Sequence, residues 1–429
     1  MNLNNSHIII ICFCSIIYYN KYKRKSTKKV LYAKIISFYI QNNIDKTNYL
    51  WYISINIIDK SMIIEEIKEE NHMKKILALA LSLVLCLAMA GGVLAEELTP
   101  VTLVMPRSIE TLADAPFWSA VEMGYFAEEG LELTIEEATG TDVQMVAVGQ
   151  ADFALPAPSL ILPSIEAGLP IKAVLQYGAW NIFGFSALNG SGIDTWEDLN
   201  GKTIALGDAS WEALAQPLLD AAGVTDVEYI VAGENRYVQV EEGKIDVLFT
   251  WLDEIYLLLA QGFDFNYIDG NEVLKNSANA IVCSNDTIAN RPEVVQGFVT
   301  AVQKGIYFVA ANPEAAADIV LNRFPSLANT VTWEGAVAVM DAIKVQSYGM
   351  TEEDFEEMSN PTGFFFDYKW DINIDSCVTA GTISEPIEHD LVYTNEFVNN
   401  GMTDEDKATV EADAAAYVCT SELAKAAGK

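Results

Sequence analysis

The chain has 429 residues, 51% hydrophobic and 20% charged, enough to bury a core in two or three domain-sized units. Its formal net charge is −34, and residues 96–429 alone, with 14 basic and 54 acidic side chains, reach about −40. Such a field keeps a protein soluble and monomeric, opposes anionic membrane surfaces, and excludes nucleic acid as a partner.

Residues 1–72 contain no Gly and no Pro, although the chain holds 26 and 13. Average usage would supply about five Gly and three to four Pro in a stretch of that length. Ile, Lys, Asn and Tyr dominate it, the signature of AT-rich DNA read as codons, so it is expected to be a mis-assigned leader rather than structure. Met73 then opens a secretory pattern. Lys74-Lys75 form the positive start, Ile76 to Met89 the apolar run, and Val93-Leu94-Ala95 a small-residue cleavage site. The run is short for a membrane span, and Gly91-Gly92 interrupt it. Leu85 before Cys86 stands where lipidation wants a small residue. Translation is therefore expected from Met73, with residues 73–95 removed on export. N-terminal sequencing of the native protein should read Glu96 first; peptides from Lys34 to Asn71 would sink this expectation.

From Val101 short apolar runs alternate with amphipathic segments. Strands are predicted at Val101 to Met105, Leu131 to Ile135, Phe153 to Leu155 and Ile171 to Gln176, with helices near Pro116 to Phe126, Asp142 to Val148 and Ser159 to Ala167. This βαβαβ rhythm argues for a parallel sheet with helices on both faces. After a polar connector, Ser191 to Asn200, the rhythm restarts. Strands Thr203 to Leu206, Val227 to Val231 and Ile245 to Thr250 alternate with helices Trp211 to Ala222, Tyr237 to Glu242 and Leu252 to Ala260. A strand at Ala280 to Ser284 and helices from Pro292, Pro313 and Thr332 return the chain to the first unit. The fold class is α/β, two lobes with a ligand cleft between them. Lobe 1 is assigned residues 96–188 and 275–345, lobe 2 residues 189–274, and residues 346–429 a helical, irregular extension ending in a helix at Asp404 to Ala427. Hinges are expected near Ala187 to Ser191 and Asp269 to Ala280.

Catalytic chemistry is poorly supplied. Beyond residue 95 one histidine remains, His389, and the cysteines are Cys283, Cys377 and Cys419, with no metal-type spacing. A Cys377–Cys419 disulfide and free buried thiols both fit the sequence. No Gly-x-Ser-x-Gly, Walker-type loop or His-Glu-x-x-His occurs. No cofactor and no metal is expected.

Several short segments follow one another in a set order: Pro116-Phe117, Gly124-Tyr125-Phe126, Glu129-Gly130-Leu131, Gly149 to Phe153, Gly168 to Val174, Asp198 to Ile204 and Gly243 to Asp246. Their order and spacing resemble the nitrate/sulfonate/taurine and thiamine-pyrimidine group of binding proteins. The resemblance runs from about Val101 to Leu321. It implies a type II periplasmic-binding-protein fold, capture of a small solute outside the cytoplasm, and delivery to an ABC permease. Synthases of the thiamine pyrimidine share that fold; their cysteine-rich motif and substrate-like histidine are missing from the matching region here.

Candidate ligand groups follow from position. Turns leading into helices, at Thr141, Ser159 and Ser210, aim backbone N–H groups at the cleft; both serines also suit ordinary N-caps. Four tryptophans, Trp118, Trp180, Trp211 and Trp251, fall at expected cleft ends. Trp180 (with Asn181 beside it), Trp211 and Trp251 are assigned as stacking platforms for a ring or a cation, with packing beneath loops as the plainer alternative. Asp253 and Glu254 follow Trp251 as acceptors for an amino group or ring N–H, or merely complement a helix dipole. Arg107, after the first strand, and Arg236 would instead serve an anion. The acidic field favours a flat heterocycle or amine over nitrate or sulfonate. An enzyme of thiamine-precursor metabolism and a surface protein without a transport role are the other classes.

Overall fold

The computed structural model describes residues 98–138, 140–233, 235–349, 354 and 361–429, and of Ser210 only the backbone. The expected leader and signal sequence lie outside the described residues.

Two five-stranded sheets organise this part of the chain. The first takes the order β2-β1-β3-β10-β4, from β1 (Thr99–Met105), β2 (Leu131–Glu137), β3 (Phe153–Ala154), β4 (Ile171–Gln176) and β10 (Ala280–Ser284). The second takes the order β7-β6-β8-β5-β9, from β5 (Phe183–Ser186), β6 (Lys202–Leu206), β7 (Val227–Val231), β8 (Val247–Trp251) and β9 (Ile268–Asp269). The expectation of a parallel sheet holds for β1, β2 and β3 and for β6, β7 and β8. It fails at the strands that follow each crossing. A chain arriving from the other lobe enters its sheet from the opposite end, so β5 runs antiparallel to β8 and β10 antiparallel to β3 and β4.

Period-two alternation gives each sheet two apolar faces. Leu103 and Met105 pack under α1 (Ala115–Glu122) and α7 (Pro292–Ala311), while Val104 faces α2 (Asp142–Ala147) and α3 (Pro158–Glu166). Phe298 of α7 stacks on Phe153 with ring centroids 3.8 Å apart. Burying such a ring contributes about 2–3 kcal/mol. By length and composition α7 would cross a membrane, but it is the core helix of this lobe. The second sheet is covered by α4 (Glu212–Ala222) on one face, and by α5 (Arg236–Glu241) and α6 (Leu252–Ala260) on the other.

The chain crosses between β4 and β5, at residues 177–182, and returns between β9 and β10, at residues 270–279. The expected boundary at residue 188 places Phe183–Ser186 in lobe 1, with the first hinge at Ala187 to Ser191. Both are corrected, because β5 pairs with β8 and β9 in the second sheet. Gly184 marks that strand: a Cβ there would sit 2.6 Å from the Ile268 carbonyl oxygen. The helices α8 (Pro313–Arg323) and α9 (Trp333–Tyr348) follow α7, and α9 packs along α6 of the other lobe.

The C-terminal part is less separate than an extension. Phe365, and Trp370, Ile374 and Cys377 on α10 (Asp367–Thr379), share a core with Ile161, Ala173 and Val282 of the first lobe. Phe365 stacks on Tyr393 at 4.9 Å. The helix α11 (Asp404–Ala416) starts at a Thr403/Asp406 capping box, and Asp406 also holds the buried Lys304 ammonium of α7 at 2.9 Å. The expected single last helix is broken after Ala416 and resumes at Glu422–Ala426. Cys377 and Cys419 are free thiols, as is Cys283.

Candidate interlobe ligand site

The end of β1 and the start of α1 supply the first lobe's polar groups. Asp114 is the N-cap residue of α1, yet its side chain accepts no helix N–H. One reason is local: Pro116 occupies N2 and has no N–H to offer. The carboxylate instead takes the Arg107 guanidinium on Oδ1, while Oδ2 is buried with no partner. Burial raises the Asp114 pKa to about 6, against the opposing pull of Arg107. The Tyr177 phenol beside it donates to the Ala113 carbonyl at 3.3 Å, and its ring stacks on Phe117.

From the second lobe Asp253, in the first turn of α6, comes within electrostatic reach of both groups. Its carboxyl is also held up by burial, offset by its own backbone N–H, by Arg107 and by the Trp251 side chain. The Asp253 charge in turn raises Asp114. Arg107 is thus ion-paired with Asp114 and lies within electrostatic range of Asp253 from the opposite lobe, so two carboxylates and one guanidinium form a net negative centre partly withdrawn from water.

Beside it lies a cation–aromatic box. The Arg236 side chain is buried, with its guanidinium carbon 4.7 Å from the Trp211 ring centre and 5.1 Å from that of Trp251. The two indoles meet edge-on at 5.3 Å. Arg236 Nη2 donates to both Glu254 oxygens, at 2.5 and 2.6 Å, and Thr250 Oγ1 donates to Oε2 at 2.7 Å. Trp211 also lies over Gly207, where a Cβ would stand 2.5 Å from the ring. The Glu254 carboxyl is raised by burial, with Arg236 and Thr250 opposing.

The expected site residues therefore divide. Trp211, Trp251 and Glu254 gather around Arg236 at the end of β8, and Arg107, after β1, is within electrostatic range of Asp253. Glu254 is committed to Arg236 and Thr250, so its role as a ligand acceptor is replaced by a structural one, and each indole presents one face to Arg236. Trp180 and Asn181 sit on the crossing segment. Trp180 is buried with the Lys369 ammonium 3.0 Å from its ring centre, which removes that face as a platform. Asn181 is stitched to the returning chain, its N–H donating to Asn271 Oδ1 at 3.0 Å and its carbonyl accepting from Asn271 Nδ2 at 2.8 Å. Thr141 and Ser159 are exposed at helix starts, and neither side chain caps its helix. The Ser210 side chain lies outside the described residues. Trp118 faces α8, with Arg323 4.0 Å above its ring.

Asp114 and Tyr177 were missed. The legible signal was Asp114-Ala115-Pro116, an acid at a helix start whose usual N–H partner a proline has removed. Among the described residues there is no cluster of three His, Cys, Asp or Glu suited to a metal. His389 is bonded to Asp371 at 2.9 Å in the C-terminal part.

Lowering the pH through about 6 should protonate Asp114. The folded value lies above the ordinary carboxylate value, so Asp114 costs stability at neutral pH and that cost disappears on acidification below about 4. Asp114→Asn should therefore stabilise the ligand-free protein at pH 7 by about 1–3 kcal/mol, and by much less at pH 4, read from urea midpoints. An equal change at both pH values would contradict the assignment.

The family model described as NMT1/THI5 like matches residues 113–316. The riboflavin-binding protein RibY of Chloroflexus aurantiacus is 28% identical over 320 residues, covering 71% of this chain and 87% of its own. A formylaminopyrimidine-binding protein of Halalkalibacterium halodurans is 25% identical over 61% of this chain and 77% of its own. The 4-amino-5-hydroxymethyl-2-methylpyrimidine phosphate synthase of Legionella pneumophila is 24% identical over 49% of this chain and 70% of its own. Among solved structures, the ligand-binding component of an ABC-type import system from Staphylococcus aureus superposes with a TM-score of 0.50 at 11% identity, over 71% of this chain and 99% of that one. That likeness is one of fold.

Proposed function

We propose that the chain, whose residues 113–316 match the NMT1/THI5 like family model, is the extracytoplasmic solute-binding component of an ABC importer. It captures a small flat heterocycle that carries an amino group or ring N–H, of the aminopyrimidine kind. The observation that carries this is the Arg107–Asp114 ion pair, whose Asp114 Oδ2 is buried and unpaired, with Asp253 of the other lobe within electrostatic range of both. A donor placed between Asp114 and Asp253 satisfies the orphan oxygen and offsets the surplus negative charge. It does so only when both lobes contact it, so it binds the closed arrangement better than the open one, which is the thermodynamic requirement for ligand-driven closure.

The relatives support a ring-shaped ligand: one is named for riboflavin and one for a formylaminopyrimidine. An anion would have to displace Asp114 from Arg107 and face Asp253. The enzyme reading, raised by the synthase relatives, would have to use Asp114, raised to about 6, or Asp253 as its general acid–base, because His389 is bonded to Asp371 in the C-terminal part.

Mass spectrometry of small molecules released from the purified full-length chain tests the proposal. A nitrogen heterocycle or amine should be recovered unchanged, and added back it should shrink the radius of gyration in solution. Recovery of a sulfonate or nitrate, or turnover of the added compound, would replace this reading with the anion or the enzyme one.

A further inference from the structure

The helix α10 lies across both crossing segments. Lys369, buried on α10, donates Nζ to the Ala179 carbonyl at 2.8 Å and seats its ammonium over Trp180. One turn on, Asn373 Nδ2 donates to Ser277 Oγ at 2.9 Å, and its Oδ1 accepts from Asn276 Nδ2 at 2.9 Å. Residues four apart share a helix face, so a single face of α10 reaches the outgoing chain with one side chain and the returning chain with the other. Between them Trp370 Nε1 donates to Gln176 Oε1 at 2.9 Å, and Gln176 Nε2 reaches the Gly178 and Ala278 carbonyls. The crossing segments also bond each other, Gly178 N–H to the Asn279 carbonyl and Ala278 N–H to the Gly178 carbonyl, both at 2.9 Å. Ala179 and Trp180 N–H both donate to the Gln346 carbonyl at the end of α9.

We propose that α10 is a stay: it fixes residues 176–180 and 276–279 to the first lobe and confines lobe rotation to Asn181–Ile182 and residues 270–275. Backbone rotation inside the stayed segments would break buried hydrogen bonds that water does not replace, which is costly. Rotation beyond them leaves the α10 bonds intact. The path of closure is thereby set by side chains nearly two hundred positions away from the outgoing segment.

The test is backbone amide exchange on the ligand-free full-length chain. Lys369→Met keeps the buried stem and removes the ammonium; it should raise exchange of Ala179 and Trp180 at least tenfold. Asn373→Ala should do the same for Ala278. In both variants the β5–β8 amides and the core amides of α10 should keep their protection, and small-angle scattering should show a wider spread of lobe separations. Unchanged exchange at these positions would overturn the proposal. So would faster exchange spread evenly through α10 and the first lobe, which is simple destabilisation. Each variant reports on its own segment, so failure of one to fold leaves the other decisive.

Discussion

Asp253→Asn should weaken binding of an aminopyrimidine by about ten- to a hundredfold while leaving the fold intact. A hydrogen bond to a charged group is worth about 1.5–3 kcal/mol, and each 1.4 kcal/mol is a factor of ten in affinity. Asp114→Asn should have a similar effect from the opposite lobe, despite stabilising the ligand-free protein. The same changes remove negative charge beside Arg107, so binding of nitrate or an alkyl sulfonate should stay weak or improve. That opposite sign separates the two ligand classes. Calorimetric titration of each variant with pyrimidines, amines, taurine, alkyl sulfonates and nitrate supplies the measurement. Tight sulfonate or nitrate binding that survives Asp253→Asn and disappears in Arg107→Ala would refute the heterocycle assignment.

Arg236→Met should cost about 3–5 kcal/mol of folding stability, because it leaves the Glu254 carboxylate largely buried without its cation. It also takes the guanidinium from between Trp211 and Trp251. Adding Glu254→Leu should recover most of the loss, since replacing both charges by apolar groups is far less costly than removing one. Urea midpoints of the two single variants and the double close the cycle. A single-variant cost below about 1 kcal/mol would mean that water reaches Glu254 in place of Arg236.

The β/α rhythm was readable because each parallel strand is a short apolar run followed by a helix with its own boundary signals. Gly223 ends α4 in the left-handed region, as its sequence position suggests. The lobe boundary was not readable. Phe183-Gly184-Phe185-Ser186 is short, and it is a strand only because β8 and β9 flank it. The role of residues 361–429 in the first lobe's core was hidden for the same reason: α10 is barely amphipathic, and its burial is decided by partners far away in sequence. At the site, sequence pointed to Trp211, Trp251, Asp253 and Arg107 because aromatic and charged residues at strand ends stand out. It could not tell that Arg236 occupies the indoles, or that Lys369 occupies Trp180, since nothing local pairs them.

The insertion of β10 between β3 and β4 fixes an order of assembly. The second lobe is one continuous stretch from β5 to β9, so its sheet needs no strand from outside residues 183–269. The first lobe differs. Its sheet has a gap until Ala280–Ser284 arrives, and one of its two cores lacks a wall until Phe365 and α10 are available. The first lobe of such a chain is therefore expected to complete its packing after the second, once strand β10 and helix α10 have both joined it.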